Sequence, residues 1–162
     1  MPDRTWITIL GLGNLLQRDE GFGIHALHAL QAHLSQVEGV QCLDGGTLGL
    51  SLLPLVEDSH CLLVLDAIDA GKSPGTLIEL CGEQVPCNSA QNLSEHQVGF
   101  QEVLALARFR GQLPERMHFI GAQPQDLSTG LELSPPLRAA IPRVMRRAEM
   151  VIQAWKLPPG DL

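Results

Sequence analysis

Glu20, Asp66 and His96 are the side chains of this sequence whose types and placement best suit chemistry. Two carboxylates and an imidazole supply two oxygens and one nitrogen, a set that suits a divalent transition metal with coordination positions left open. Glu20 follows the glycine loop Gly11-Leu12-Gly13-Asn14, at or just before a helical stretch. Asp66 lies immediately past the apolar run at residues 61–65. His96 belongs to Ser94-Glu95-His96-Gln97, which matches a capping box with Ser94 as N-cap and Gln97 as its reciprocal partner. In that first helical turn the positive end of the helix dipole disfavours imidazolium, leaving a neutral ring able to ligate. Spacing alone leaves convergence open. Glu20 could equally serve the helix dipole, Asp66 a strand end, and His96 an ordinary polar role. Asp44, in Asp44-Gly45-Gly46-Thr47, is a secondary candidate for orienting a ligand, against the simpler reading of an Asx turn before two glycines.

The remaining reactive side chains carry less. His25 and His28 share a helix face at i, i+3 spacing and, with His33 nearby, read as a solvated flank. His60 and His118 border strand-like runs and are given no role. Ser51, in Gly49-Leu50-Ser51-Leu52-Leu53, lacks the second glycine of a nucleophile elbow, so no serine hydrolase is supported. Gly11 and Gly13 superficially match a dinucleotide fingerprint, with Asp44 as its ribose-binding acid. Leu16 replaces the third glycine, however, and Asp19 and Glu20 would set negative charge beside a pyrophosphate. Cys42, Cys61, Cys81 and Cys87 form no close pair of the metal-ribbon or redox type and read as small core residues of a reducing compartment.

The hydrophobic pattern supplies the scaffold that must hold these groups. Residues 5–10 form an apolar, β-branched run closed by glycines, as in a strand buried on both faces. Ile24, Leu27, Leu30 and Leu34 recur at helical spacing through residues 21–34. Residues 40–43 make a second strand, 48–56 a short helix containing Pro54, and 61–65 the strongest strand. Residues 76–80 predict a further strand, hairpin-paired to its predecessor. A loop at 83–92, a helix at 94–109, a strand at 117–120 and a closing helix at 136–155 complete the pattern. Pro142 is expected to interrupt or kink that last helix, and residues 157–162 to fray. Strands alternating with helices give the fold class α/β: a three-layer sandwich, its mostly parallel twisted sheet of about five strands covered by helices on both faces. In such sheets sites form outside the carboxyl ends of the strands.

The 162 residues suit one domain, 1–162, with 44% hydrophobic and 18% charged residues, the range of an ordinary globular chain. A formal net charge of −7 speaks against a nucleic-acid partner, which needs clustered Lys and Arg. No run approaches the roughly 20 apolar residues of a membrane span. The first residues carry no secretory pattern, so the expected location is cytoplasmic.

Taken in order, the motifs resemble the hydrogenase maturation endopeptidase family. They are Gly11-Leu12-Gly13-Asn14-Leu15-Leu16, Asp19-Glu20-Gly21-Phe22-Gly23, Asp44-Gly45-Gly46-Thr47, Asp66-Ala67-Ile68-Asp69 and Ser94-Glu95-His96-Gln97-Val98-Gly99, then Gly121-Ala122-Gln123-Pro124 and Gly130-Leu131-Glu132-Leu133-Ser134-Pro135. Each is weak alone; their order and spacing, over residues 7–145, make the set specific. Glu95 departs from the proline or other uncharged residue common there. The resemblance implies an aspartyl-type endopeptidase that removes the C-terminal extension of a nickel-iron hydrogenase large-subunit precursor once nickel is inserted. It implies Glu20, Asp66 and His96 as metal-binding residues, nickel supplied by the precursor and no organic cofactor; on it rest a catalytic role for the same three, Asp44 as a second-rank residue for orienting a ligand or binding the tail, and a monomer as the default for a transient processing enzyme. Two other readings use the same three residues: a nickel-sensing binding module, and a free-standing metallopeptidase with its own zinc. The second lacks the usual His-Glu-x-x-His helix.

Overall fold

β1 (Ile7–Leu12) and β3 (Cys61–Ala67) are buried along their whole length. Their unbroken apolar runs are what a strand covered on both faces requires. In this computed structural model, which describes residues 6–82 and 95–157 and only the backbone of Glu95 and His96, they lie side by side at the centre of a five-stranded sheet. β2 (Val40–Gly46) pairs with β1, and β5 (Arg116–Ala122) with β3, all in parallel. β4 (Leu77–Cys81) closes one edge antiparallel to β5, giving the order β2-β1-β3-β5-β4.

The two-residue alternation of the strands divides the core into two layers. Ile7, Ile9, Leu63, Leu65 and Ile120 face Phe22 and Leu27 of α1 (Phe22–Leu34) and Leu137 and Val144 of α4 (Pro135–Lys156). Leu10, Leu12, Leu62 and Val64 face Val56 of α2 (Leu53–Asp58) and Phe100, Val103 and Leu104 of α3 (Glu95–Phe109). This is the expected three-layer α/β arrangement. Among the described residues no helix is long and apolar enough to cross a membrane.

Several local expectations change. The strand at residues 76–80 does not pair with its predecessor, because both sides of β3 are taken, by β1 and β5. It runs instead from Leu77 opposite Ala122 to Cys81 opposite His118. Arg147 of α4 fastens that edge, donating to Glu79 from Nε (2.5 Å) and Nη2 (3.0 Å). Nor does Pro142 divide the last helix, which runs as one element from Pro135 to Lys156. Buried Leu137 and Ala140 before the proline, and Val144, Ala148 and Ile152 after it, hold both halves to the same layer despite the lost hydrogen bond. β3 continues through Asp66 to Ala67, so Asp66 sits inside the strand end rather than past it. Cys81 is exposed, not core; Cys61 fits the core reading, and burial pushes its thiol up to about 11. The expected loop at 83–92, Cys87, Ser94 and the tail beyond Leu157 lie outside the described residues.

Gly23 sets how closely α1 meets the sheet. A Cβ there would stand 2.1 Å from the Leu65 carbonyl oxygen and 2.4 Å from that of Leu12, so the helix start rests directly on the ends of β3 and β1. Gly23→Ala is expected to lower unfolding stability by about 2 kcal/mol or more, read from urea midpoints; an unchanged midpoint would show that α1 is not pressed there. Glu79 offers a second test. Its carboxyl is held below the ordinary value of 4.5, first by the Arg147 hydrogen bond. That pairing contributes stability above pH 4.5 and loses it as the pH falls through the lower folded value. Arg147→Met should flatten the acid limb of the stability–pH curve, measured by thermal melts.

Candidate active site

The loop after β1 is folded tightly on itself. Gly13 has φ +136°, and a Cβ on it would lie 1.9 Å from the Glu20 carbonyl oxygen, which the Asn14 N–H approaches to 3.1 Å. Only a residue without a side chain admits that contact. The loop ends in a 3₁₀ turn, Arg18–Gly21, that packs against β3 and leads into α1. Glu20, half-exposed, is carried by this turn to the carboxyl end of the sheet.

Asp19, beside it, is fully buried. Its carboxylate accepts hydrogen bonds from the backbone N–H groups of Gln125 (2.9 Å), Asp126 (2.8 Å) and Ser134 (2.8 Å) and from the Ser134 hydroxyl (2.7 Å). Backbone bonds add to the tie: Arg18 N–H donates to the Gly130 carbonyl at 3.0 Å and Gly130 N–H to that of Leu16 at 2.8 Å. Arg18 adopts φ +46°, a left-handed conformation unusual for a long side chain, at the turn that presents Glu20. The sequence reading noted Asp19 only as an acid near Glu20; its anchoring role depends on residues more than a hundred positions away.

Asp66 is also fully buried. Its Oδ1 accepts from Ala67 N–H at 2.8 Å, and its Oδ2 from Gln97 Nε2 at 3.1 Å. Gln97 Nε2 also donates to the Ala67 carbonyl at 2.6 Å. The N-cap of the expected capping box, Ser94, lies outside the described residues, and the amide nitrogen of Gln97 ties the first turn of α3 to the end of β3. His96 is the preceding residue of that turn, and its side chain lies outside the described residues. Gln123 was not singled out either. Its Oε1 accepts from Ala70 N–H (2.8 Å) and Lys72 N–H (3.1 Å), and its Nε2 donates to Asp69 (3.0 Å), so it holds the loop after Asp66.

Asp44 lies opposite Gly11 in the β1–β2 register, exposed, with Oδ1 accepting from Gly46 N–H at 2.9 Å. That is the Asx turn. Among the described residues no group of three or more His, Cys, Asp or Glu is gathered for a metal. In donor chemistry alone, two carboxylates and an imidazole would suit a transition metal. The histidines of α1 do not form one solvated flank: His28 and His33 are exposed, but His25 is half-buried.

The sheet, with Glu20 and Asp66 carried at its carboxyl end, defines an α/β protein whose candidate site lies where such sheets place their sites. The family model described as hydrogenase maturation protease matches residues 24–151, a span containing Asp44, Asp66 and His96. The chain belongs to the hydrogenase maturation protease family, and it is a peptide-bond hydrolase. It is 43% identical to the hydrogenase expression/formation protein HupD of Rhizobium leguminosarum bv. viciae over 95% of this chain and 77% of that one. With the hydrogenase 2 maturation protease of Escherichia coli (strain K12) the identity is 36%, covering 83% of each chain. The solved structure of the hydrogenase maturating endopeptidase HybD from E. coli superposes with a TM-score of 0.86 at 31% identity, over 97% of this chain and 99% of that one. Membership of a protease family does not favour the reading as a sensing module without catalysis.

The Asp19 tie yields a test. Asp19→Ala leaves four donors without an acceptor, and is expected to cost about 3 kcal/mol of stability, read from denaturant midpoints. Hydrogen exchange at Gln125, Asp126 and Ser134 should accelerate together. Retained protection at those amides would show that the carboxylate is not their anchor.

Proposed function

We propose that this endopeptidase removes the C-terminal extension of a nickel-iron hydrogenase large-subunit precursor after nickel has been inserted. The observation that carries the reading is the Gln97 bond to Asp66, which joins the first turn of α3 to the strand end against which the Glu20 turn packs. Nickel is part of the substrate in this scheme. Glu20, Asp66 and His96 complete its coordination when the precursor docks, fixing the scissile peptide over the end of the sheet. A carboxylate takes a proton from water as the oxygen attacks the scissile carbonyl carbon; the C–N bond then breaks and the leaving amine receives the proton. This makes the enzyme aspartyl-type in the sense that its own acids act on water. Asp44, fixed by its Asx turn at the rim, serves the tail. The enzyme works in the cytoplasm as a monomer, without an organic cofactor.

The test mixes purified chain with cognate precursor prepared with and without nickel, and reads the precursor's C-terminus by intact mass. Loss of the tail from the nickel-loaded form alone is expected. Glu20→Gln, Asp66→Asn and His96→Ala should each lower kcat/KM by about a hundredfold or more. Full processing by Glu20→Gln and His96→Ala would sink the three-residue site, and equal cleavage of both precursor forms would reject nickel gating.

A further inference from the structure

Among the described residues Arg18 is the one non-glycine with a positive φ, +46°, and it opens the turn Arg18–Gly21 that carries Glu20. A residue with a Cβ keeps to that left-handed region only where its surroundings hold it there. Two backbone bonds do so. The Arg18 N–H donates to the Gly130 carbonyl at 3.0 Å, and the Asp19 N–H to the Asp126 carbonyl at 3.0 Å.

The side chain is held as well. A Cβ built on Gly130 would stand 2.7 Å from Arg18 Cζ, 2.8 Å from Nε and 3.0 Å from Nη2, so the guanidinium lies directly against that glycine. Nε is shielded from solvent there and makes no hydrogen bond among the described residues, with an Asp126 carboxylate oxygen 3.6 Å away. Asp126 is itself fixed, its Oδ1 accepting from the Ser128 N–H (2.9 Å) and hydroxyl (2.6 Å). The side chains of Arg18 and Asp126 are 36% and 45% exposed, so their attraction is screened and weak. Packing against Gly130 is the larger part of the clamp.

The clamp reaches Glu20 through one turn of chain. The Glu20 N–H donates to the Gln17 carbonyl at 3.0 Å, and the Glu20 carbonyl accepts from the Asn14 N–H at 3.1 Å, so the backbone that carries Glu20 closes around Arg18. Neither layer of the hydrophobic core includes Arg18. Its contacts hold the turn and little else.

We propose that Arg18 is a positioning residue for peptide cleavage: its left-handed backbone and its guanidinium against Gly130 set the direction in which Glu20 meets the docked precursor. The proposal rests on the reading of Glu20 as a residue that acts on the precursor. A reacting group must be placed to within a fraction of an ångström, and a small misplacement lowers the rate without loosening contacts made elsewhere. Loss of the clamp is therefore felt in kcat, not in KM or in stability.

Two variants release the clamp from opposite sides. Arg18→Gly removes the guanidinium and accepts a φ of +46° without strain. Gly130→Ala keeps Arg18 but puts a methyl group where the free end of that flexible side chain lies. Both, the double variant and Glu20→Gln are checked by thermal melting, their kcat and KM are measured on nickel-loaded precursor, and the Glu20 amide is followed in the free enzyme by proton–nitrogen correlation NMR. Each single release is expected to lower kcat about tenfold with KM held within about twofold, and to shift the Glu20 amide at unchanged melting temperature. The double variant should lose no more than Arg18→Gly alone, because either change undoes the same contact. Wild-type kcat in both single variants, losses that multiply in the double, or a lowered melting temperature accompanying the loss would overturn the positioning role, and impaired cleavage by Glu20→Gln would then leave the reading of Glu20 standing. Full processing by Glu20→Gln would remove that reading, and the part of Arg18 with it.

Discussion

Asp19 carries no exposed surface, yet its carboxylate is saturated by donors from Gln125, Asp126 and Ser134. A buried carboxylate is tolerated only when its oxygens are filled in this way. The bonds hold the turn after β1 against the segment between β5 and α4, and so fix where α1 begins, where α4 begins and where Glu20 is presented. Gly13 and Gly23 work within the same constraint. One lets the turn close over the Glu20 carbonyl, and the other lets α1 descend onto the ends of β1 and β3. Remove the buried anion and these close approaches lose what keeps them aligned.

On the other side of Asp66 a different kind of tie operates. Gln97 bonds both the carboxylate of Asp66 and the carbonyl of Ala67, so its side chain ties the first turn of α3 to β3. The turn carrying Glu20 thus belongs to the α1 and α4 side, while the turn that contains His96 belongs to the α2 and α3 side.

Much of this frame was legible in the residues. The apolar runs of β1 and β3 read as central strands because both faces of each are covered, and the period of α1 follows from the same burial. The family motifs could be ordered along the chain and led to the family to which the chain belongs. Partnerships set by distant sequence were not legible. β4 neighbours β3 in the chain but pairs with β5, because β3 has no free side, and nothing local encodes that. Asp19 looked like one more acid beside Glu20, and nothing local showed that Gln97 reaches β3, because their partners lie 106–115 and 30–31 positions away. His25 looked like one of three solvated imidazoles until α4 was seen packed over its helix.

The span of the Asp19 tie bears on when this enzyme comes into being during its own synthesis. Contacts between residues so far apart form late, because closing a long loop costs entropy before any contact offsets it. Residues 6–67 can collapse into paired strands and a first helix while the rest of the chain is still on the ribosome. The turn bearing Glu20 lacks its ties to residues 125–134, though, until those residues have emerged from the exit tunnel. The turn that presents Glu20 is therefore completed late in folding, after the segment that enters α4 has been made.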